Sequence, residues 1–179
     1  MSRGFLLDAN ILSETLRPLP DAKVVAWLDI LSKDIQFVSV VTLGELRRGT
    51  ALLPQGSKRT KLEEFIDIEI PLWFGSRILP VTQPIAERWG MLDAACQARG
   101  TPTNTADGMI AATAVEHGLT AVTRNAKDFA IFQRNDLQPV GTAVAPRASM
   151  RREAPLEFFP ALPFPMAASD NGRSVNSGQ

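Results

Sequence analysis

The sequence predicts an α/β fold for residues 1–140: a three-layer α/β/α sandwich around a mostly parallel central sheet. Three observations carry that expectation. Short apolar runs bounded by polar residues recur along the chain, as buried strands do. Longer stretches with apolar residues at helical spacing lie between them. The two kinds alternate with no internal repeat, the pattern of βα units wound onto one parallel sheet. A length of 179 residues suits one such domain. With 45% apolar and 21% charged residues, the chain has the means to bury a core.

In order, Phe5, Leu6 and Leu7 form a short apolar strand, and a helical run follows over 11–16. Residues 23–31 place Val24, Trp27, Leu28 and Leu31 on one helix face. Residues 36–40 are apolar and β-branched enough for a second strand, with a helix over 43–52 behind it. An amphipathic helix is expected over 58–70, a short strand over 78–81, and a helix over 85–99 stopped by Gly100. Residues 104–117 predict a helix that Gly118 closes at the position after the C-cap. A strand over 119–123 and a last one near 137–140 complete the domain. Beyond it, residues 141–179 hold five of the thirteen prolines, with Ala, Ser, Gly and little periodicity. They are expected to form a disordered tail in which only 156–164 is apolar enough to dock.

Composition narrows the chemistry. Nineteen Lys and Arg balance nineteen Asp and Glu, so net charge argues neither for nor against nucleic acid. The single cysteine, Cys96, excludes an internal disulfide and any Cys-cluster zinc site. The single histidine, His117, excludes two-histidine nucleases and HExxH metalloproteases. Carboxylates are left to do any catalysis. No apolar run approaches the ~18–20 residues needed to span a bilayer, so no membrane association is expected. The N-terminus meets Asp8 after three apolar residues, unlike a signal peptide. A lone thiol without an export signal points to the cytoplasm.

In an open parallel sheet, ligands bind beyond the carboxyl ends of the strands. Asp8 follows the first strand, Glu45 the second, and Asp107 opens the 104–117 helix; Asn125 and Asp128 follow the 119–123 strand. Each has an ordinary structural alternative. Asp8 can N-cap the next helix. Thr42-Leu43-Gly44-Glu45 fits a capping box. Asp107 complements a helix dipole, and Asp128 can be a plain loop acid. Together, at one sheet edge, they make a site for a hard divalent cation, which prefers carboxylate oxygens and retains waters. Such an ion activates water and offsets charge on phosphorus without His or Cys.

At this point the residues resemble a family. Leu6-Leu7-Asp8-Ala9-Asn10-Ile11-Leu12-Ser13-Glu14 is similar to the opening motif of PIN-domain proteins, with Ala9 where Thr is usual. Residues 39–49, 106–114 and 123–129 resemble the second, third and fourth motifs in order. Residues 75–80 and 116–120 resemble the VapC and FitB branch in particular. The resemblance implies a PIN-like fold and an Mg²⁺- or Mn²⁺-dependent endoribonuclease, the toxin of a toxin–antitoxin pair. It implies Asp8 and Asp107 as metal ligands, Glu45 completing the acidic site, and Asn10 holding the Asp8 carboxylate. At the fourth motif Asn125 replaces the commoner Asp, while Asp128 is retained to assist through water or hydrogen bonds. It implies as partners an RNA substrate, a VapB-like antitoxin that blocks the site with a basic side chain, and a second copy of the chain.

Other residues draw different readings. Arg47 and Arg48 follow Glu45 and are candidates for RNA phosphate contacts, alongside the usual role of a solvated basic face. His117 suits the end of a helix, Cys96 a core thiol, and Trp27, Trp73 and Trp89 core or dimer packing. Competing functions are a non-catalytic PIN-like binding module, a haloacid-dehalogenase-like phosphatase and a phospho-acceptor receiver domain. The phosphatase would need Asp where Asn10 stands, and the receiver an acidic pair beside Asp8.

Overall fold

The structure, a computed structural model, describes residues 4–125, Phe132 and the backbone of 142–144. All belong to one compact unit, Met1–Ala148; the second unit, Ser149–Gln179, lies outside the described residues. The expected strand near 137–140, Asp128 and all of the expected tail except 142–144 also lie outside them.

Five parallel strands form the sheet in the order β3-β2-β1-β4-β5: β1 Phe5–Leu7, β2 Gln36–Ser39, β3 Ile78–Leu79, β4 Thr120–Thr123 and β5 Thr142–Val144. In register, Leu6 sits between Phe37 and Ala121, and Leu7 between Val38 and Val122. The chain winds outward from β1 to β3 on one side and returns to β4 on the other. The order therefore reverses at the β1–β4 seam, where an open α/β sheet has its crevice. The strand β5 pairs with β4, so the sheet extends past residue 140 and a boundary there would cut it.

Successive strand residues point to opposite faces, and the two faces carry separate cores. Leu6 and Ala121 pack with Leu79, Ile85, Leu92, Cys96, Ile110 and Phe132 under α6 (Gln83–Ala98) and α7 (Thr105–His117). Leu7 and Val122 pack with Ile11, Val24, Val38, Leu46, Phe65 and Ile70 under the helices of the other layer. Those are α1 (Ala9–Leu12), α2 (Ala22–Ile30), α3 (Val40–Ala51), α4 (Ser57–Glu64) and α5 (Ile70–Phe74). Each of the Val, Leu, Ile and Phe side chains among them contributes roughly 1.5–3 kcal/mol by leaving water. Trp27 and Trp73 pack against the second core and Trp89 against the first, and Cys96 is a buried thiol, as the sequence suggested.

The expected helix over 58–70 runs to residue 74 in three pieces: α4, a π-helical turn Phe65–Glu69, and α5. Pro71 is the cause. It lacks an N–H and its ring crowds the carbonyl four residues back, so the preceding turn widens. Gly118 closes α7 at φ 63°, the left-handed conformation expected of a glycine there. Among the described residues no helix is long and apolar enough to cross a membrane.

Candidate active site

Asp8 stands where β1 ends, and its backbone is held on both sides. Its N–H donates to Val122 O at 3.0 Å, and its carbonyl accepts from Ile11 N at 3.0 Å. Oδ1 accepts from Ala9 N at 2.6 Å, so Asp8 does N-cap α1. The cap leaves Oδ2 for other work. It accepts from Asn10 Nδ2 at 2.5 Å and from the Thr123 hydroxyl at 2.7 Å. Asp8 is 5% exposed; burial pushes its pKa up, against the pull of the Thr123, Ala9 and Asn10 hydrogen bonds.

Both Asn10 Nδ2 protons and the Thr123 hydroxyl are fully used. The second Asn10 Nδ2 proton goes to Thr123 Oγ1 at 2.9 Å, and Asn10 Oδ1 accepts from Arg124 N at 2.9 Å. Thr123 Oγ1 also accepts from Asn125 N at 2.9 Å. One hydroxyl thus donates once and accepts twice, its whole capacity. The network ties the end of β4 to the end of β1 across the crevice.

Glu45 reaches the same place from β2. Ser39, at the end of that strand, caps α3 by accepting from Val41 N at 3.2 Å, so the helix begins at Val40 instead of residue 43. Thr42 therefore lies inside the helix, its hydroxyl donating to Leu7 O at 3.4 Å. The capping box expected for Thr42 and Glu45 does not form. Glu45 sits in the second turn, half-buried, with no terminal duty. Its carboxyl is raised to about 7 by burial first, then by the charges of Asp8 and Asp107, with Arg48 opposing.

Asp107 lies in the first turn of α7, whose N-cap is Asn104, accepting from Ala106 N at 3.0 Å. Capping is thus done by another residue, and Asp107 is left half-buried on a helix that packs against α3. The influence of Asp8 and Asp107 on Glu45 places acids from three elements at one address.

No metal-ligating group of three His, Cys, Asp or Glu side chains is preformed among the described residues. The donor set nonetheless fits a hard cation. Asp8 uses three of the roughly four acceptor positions of a carboxylate, leaving one for an ion. The mutual repulsion that lifts Glu45 is what a positive charge would relieve. An ion that keeps several waters needs only one or two direct carboxylates.

Of the remaining expected residues, Asn125 is exposed and enters the network through its backbone. Arg47 forms an ion pair with Asp67 of the π turn, and Arg48 lies close enough to Glu45 to lower its pKa. Two residues were given no role by sequence. Thr123 is one. The other is Glu14, 2% exposed, which binds Arg17 and Arg124. The only sequence signals were their places in the first and fourth motifs. Asn10, Arg17, Arg124 and Asn125 line an open polar cavity of about 300 Å³ beside Asp8.

Residues 5–135 match the PIN domain family. The chain is 42% identical over 132 residues to Toxin FitB of Neisseria gonorrhoeae, spanning 71% of this chain and 95% of that protein. It is 35% identical over 124 residues to VapC ribonuclease Y4jK of Sinorhizobium fredii, spanning 69% and 89%. Its fold is similar to that in the structure of FitAB bound to the IR36 DNA fragment. The TM-score is 0.72 and the identity 35%, with 83% of this chain and 99% of that one covered.

Proposed function

The chain belongs to the PIN-domain family, in its VapC/FitB branch, and from that premise we propose that it is a divalent-cation-dependent endoribonuclease, the toxin of a toxin–antitoxin pair. The observation that carries the reading is the buried Asp8 carboxylate, fixed by Asn10 and Thr123 at the carboxyl edge of the sheet, with Glu45 and Asp107 near enough to act on one another. Family membership removes the phosphatase and receiver-domain alternatives.

Asp8 and Asp107 would hold Mg²⁺ or Mn²⁺, with Glu45 beside them. When bound, the ion lowers the pKa of water and offsets charge on the phosphorus. The chain's own groups do the rest. Asn10 and Thr123 fix the Asp8 carboxylate so that its remaining lone pair points one way. Glu45, beside Asp8 and Asp107, would take a proton from the attacking water. Asn125 borders the site, and Asp128 is assigned the supporting role that the family resemblance gives it. Arg48, near Glu45, is a candidate for a substrate phosphate contact; Arg47, held by Asp67, is the weaker of the two.

The expected partners are RNA, a VapB-like antitoxin whose basic side chain would satisfy the same acids, and a second copy of the chain. The purified full chain should cleave RNA with Mn²⁺ and stop when EDTA is added. Binding without cleavage would favour the second reading, a PIN-like binding module, for which Asn125 in place of an acid is the supporting observation.

A further inference from the structure

Glu14 is too buried and too well served to be an incidental acid. It lies in a 3₁₀ turn, Ser13–Leu16, that continues α1. Its Oε1 accepts from Asp21 N at 2.9 Å, and its Oε2 meets Arg17 Nε at 3.2 Å and Arg124 Nη1. A buried carboxylate needs one good cationic partner. Glu14 has two, so the group carries a net positive charge. Both arginines reach water: the side chains of Arg17 and Arg124 are 57% and 36% exposed. They line the same cavity as Asn10 and Asn125. Asn10, one hydrogen bond from Asp8, joins this cationic concavity to the acidic site.

The geometry points to a phosphate-binding subsite, formed by Arg17 and Arg124 on the Glu14 carboxylate, that takes a backbone phosphodiester of the RNA strand next to the one cleaved. The assignment rests on the ribonuclease reading above. Each guanidinium has five donors in a planar fork, and the Glu14 carboxylate occupies only part of each. Glu14 holds both forks in place before substrate arrives, so less side-chain freedom is lost on binding. The subsite also answers an electrostatic difficulty. Three acids repel a polyanion, and a cationic surface one side chain away offsets that repulsion while fixing the strand's path. The anchor explains why an invisible, buried acid should be placed beside a catalytic edge.

The test uses the full chain in EDTA and a short fluorescein-labelled single-stranded RNA, with affinity measured against salt. Arg17→Gln and Arg124→Gln each leave Glu14 one arginine, so both should fold. Each should weaken binding on the order of five- to tenfold and reduce the slope of log K against log salt by about 0.7. Arg17→Lys should restore the slope but not the full affinity, because it keeps the charge and loses the fork. Unchanged slopes in both Gln variants overturn the subsite. So does a result in which RNA binding is unaltered while binding of an acidic peptide is lost, which would assign the pair to a protein partner. If the wild type binds no RNA, the ribonuclease reading fails separately. The arginine Nε–H signals are then followed by NMR against inorganic pyrophosphate: shifts at Arg17 and Arg124 retain the anion site, and their absence removes it.

Discussion

Thr123 gives its hydroxyl proton to Asp8 Oδ2 at 2.7 Å, across 115 positions of sequence, and takes N–H protons from Asn10 and Asn125 in return. A single oxygen thus sets the orientation of the candidate metal ligand and the path of the chain after β4. Neither task shows in the residue type.

Thr123→Val keeps the shape and removes the hydroxyl. Asp8 loses a donor, and two part-buried N–H groups lose their acceptor, at a cost of about 1–3 kcal/mol. The Asp8 carboxyl should rise further, since the Thr123 bond is what most opposes its burial. The thermal midpoint and the RNA cleavage rate should both fall, while Thr123→Ser should retain most of each.

Glu45 makes stability depend on pH in a stated direction. Its carboxyl titrates at 4.5 ordinarily and at about 7 in the fold. Between those values the folded chain holds a proton that the unfolded chain has released, so metal-free stability falls as pH rises from about 4.5 to about 7. Glu45→Gln should remove its share of that fall. It should raise stability above pH 7 by on the order of 1 kcal/mol, after discounting a half-exposed group for solvent screening, and change nothing near pH 4. Thermal melts across pH in EDTA measure it. A wild-type midpoint flat from pH 4.5 to pH 7 would contradict the coupling.

Asp107→Asn separates metal chemistry from helix-end electrostatics. Capping belongs to Asn104, so folding should survive, with a dipole contribution of about 0.3–1 kcal/mol lost at the helix end. Cleavage should drop by roughly two to three orders of magnitude, about 3–4 kcal/mol of transition-state stabilisation. Asn125→Ala should cost less, since Asn125 joins the network through its backbone N–H. Cleavage rate against Mn²⁺ concentration, with circular dichroism for folding, compares the two.

Gly108, the residue after Asp107, admits no larger side chain. A Cβ there would lie 2.7 Å from Trp89 Cδ1 and 2.9 Å from its Nε1. Gly108→Ala should push α7 from α6, lower stability by about 1–3 kcal/mol and displace Asp107. The Trp89 Nε1–H has no hydrogen-bond partner among the described residues, so Trp89→Phe sacrifices little and opens space. The double variant should be more stable than the sum of the singles predicts, measured by denaturant unfolding.

Chain ends offer a fifth check. A chain ending at Ala148 keeps β5, and residues 149–179 are expected to be dispensable for folding and cleavage. A chain ending at Val140 lacks Thr142–Val144 and strips β4 of a neighbour. Its midpoint should fall well below that of the longer chain.

Much of the layout is legible because short apolar runs and helical spacing are local signals. Asp8, Glu45 and Asp107 can be placed from where strands end. The early start of α3 is harder, since Ser39 looks like strand until its hydroxyl is seen capping Val41. The broken helix before α5 hides because the apolar spacing continues through Pro71. Thr123 and Glu14 were missed for another reason. Asp8, the partner of Thr123, and Arg124, the second cation on Glu14, lie more than a hundred residues away, and no spacing rule reports such a pairing.

The strand order has a consequence for synthesis. The centre of the sheet, β1 against β4, joins one of the first segments made to one of the last. A chain still emerging from the ribosome carries Asp8, Asn10 and Glu45 well before Thr123 exists to orient them. Loop closure of that length also makes the seam slow to form. A chain that stops before β4 would carry Asp8, Asn10 and Glu45 without the hydroxyl that aligns Asp8.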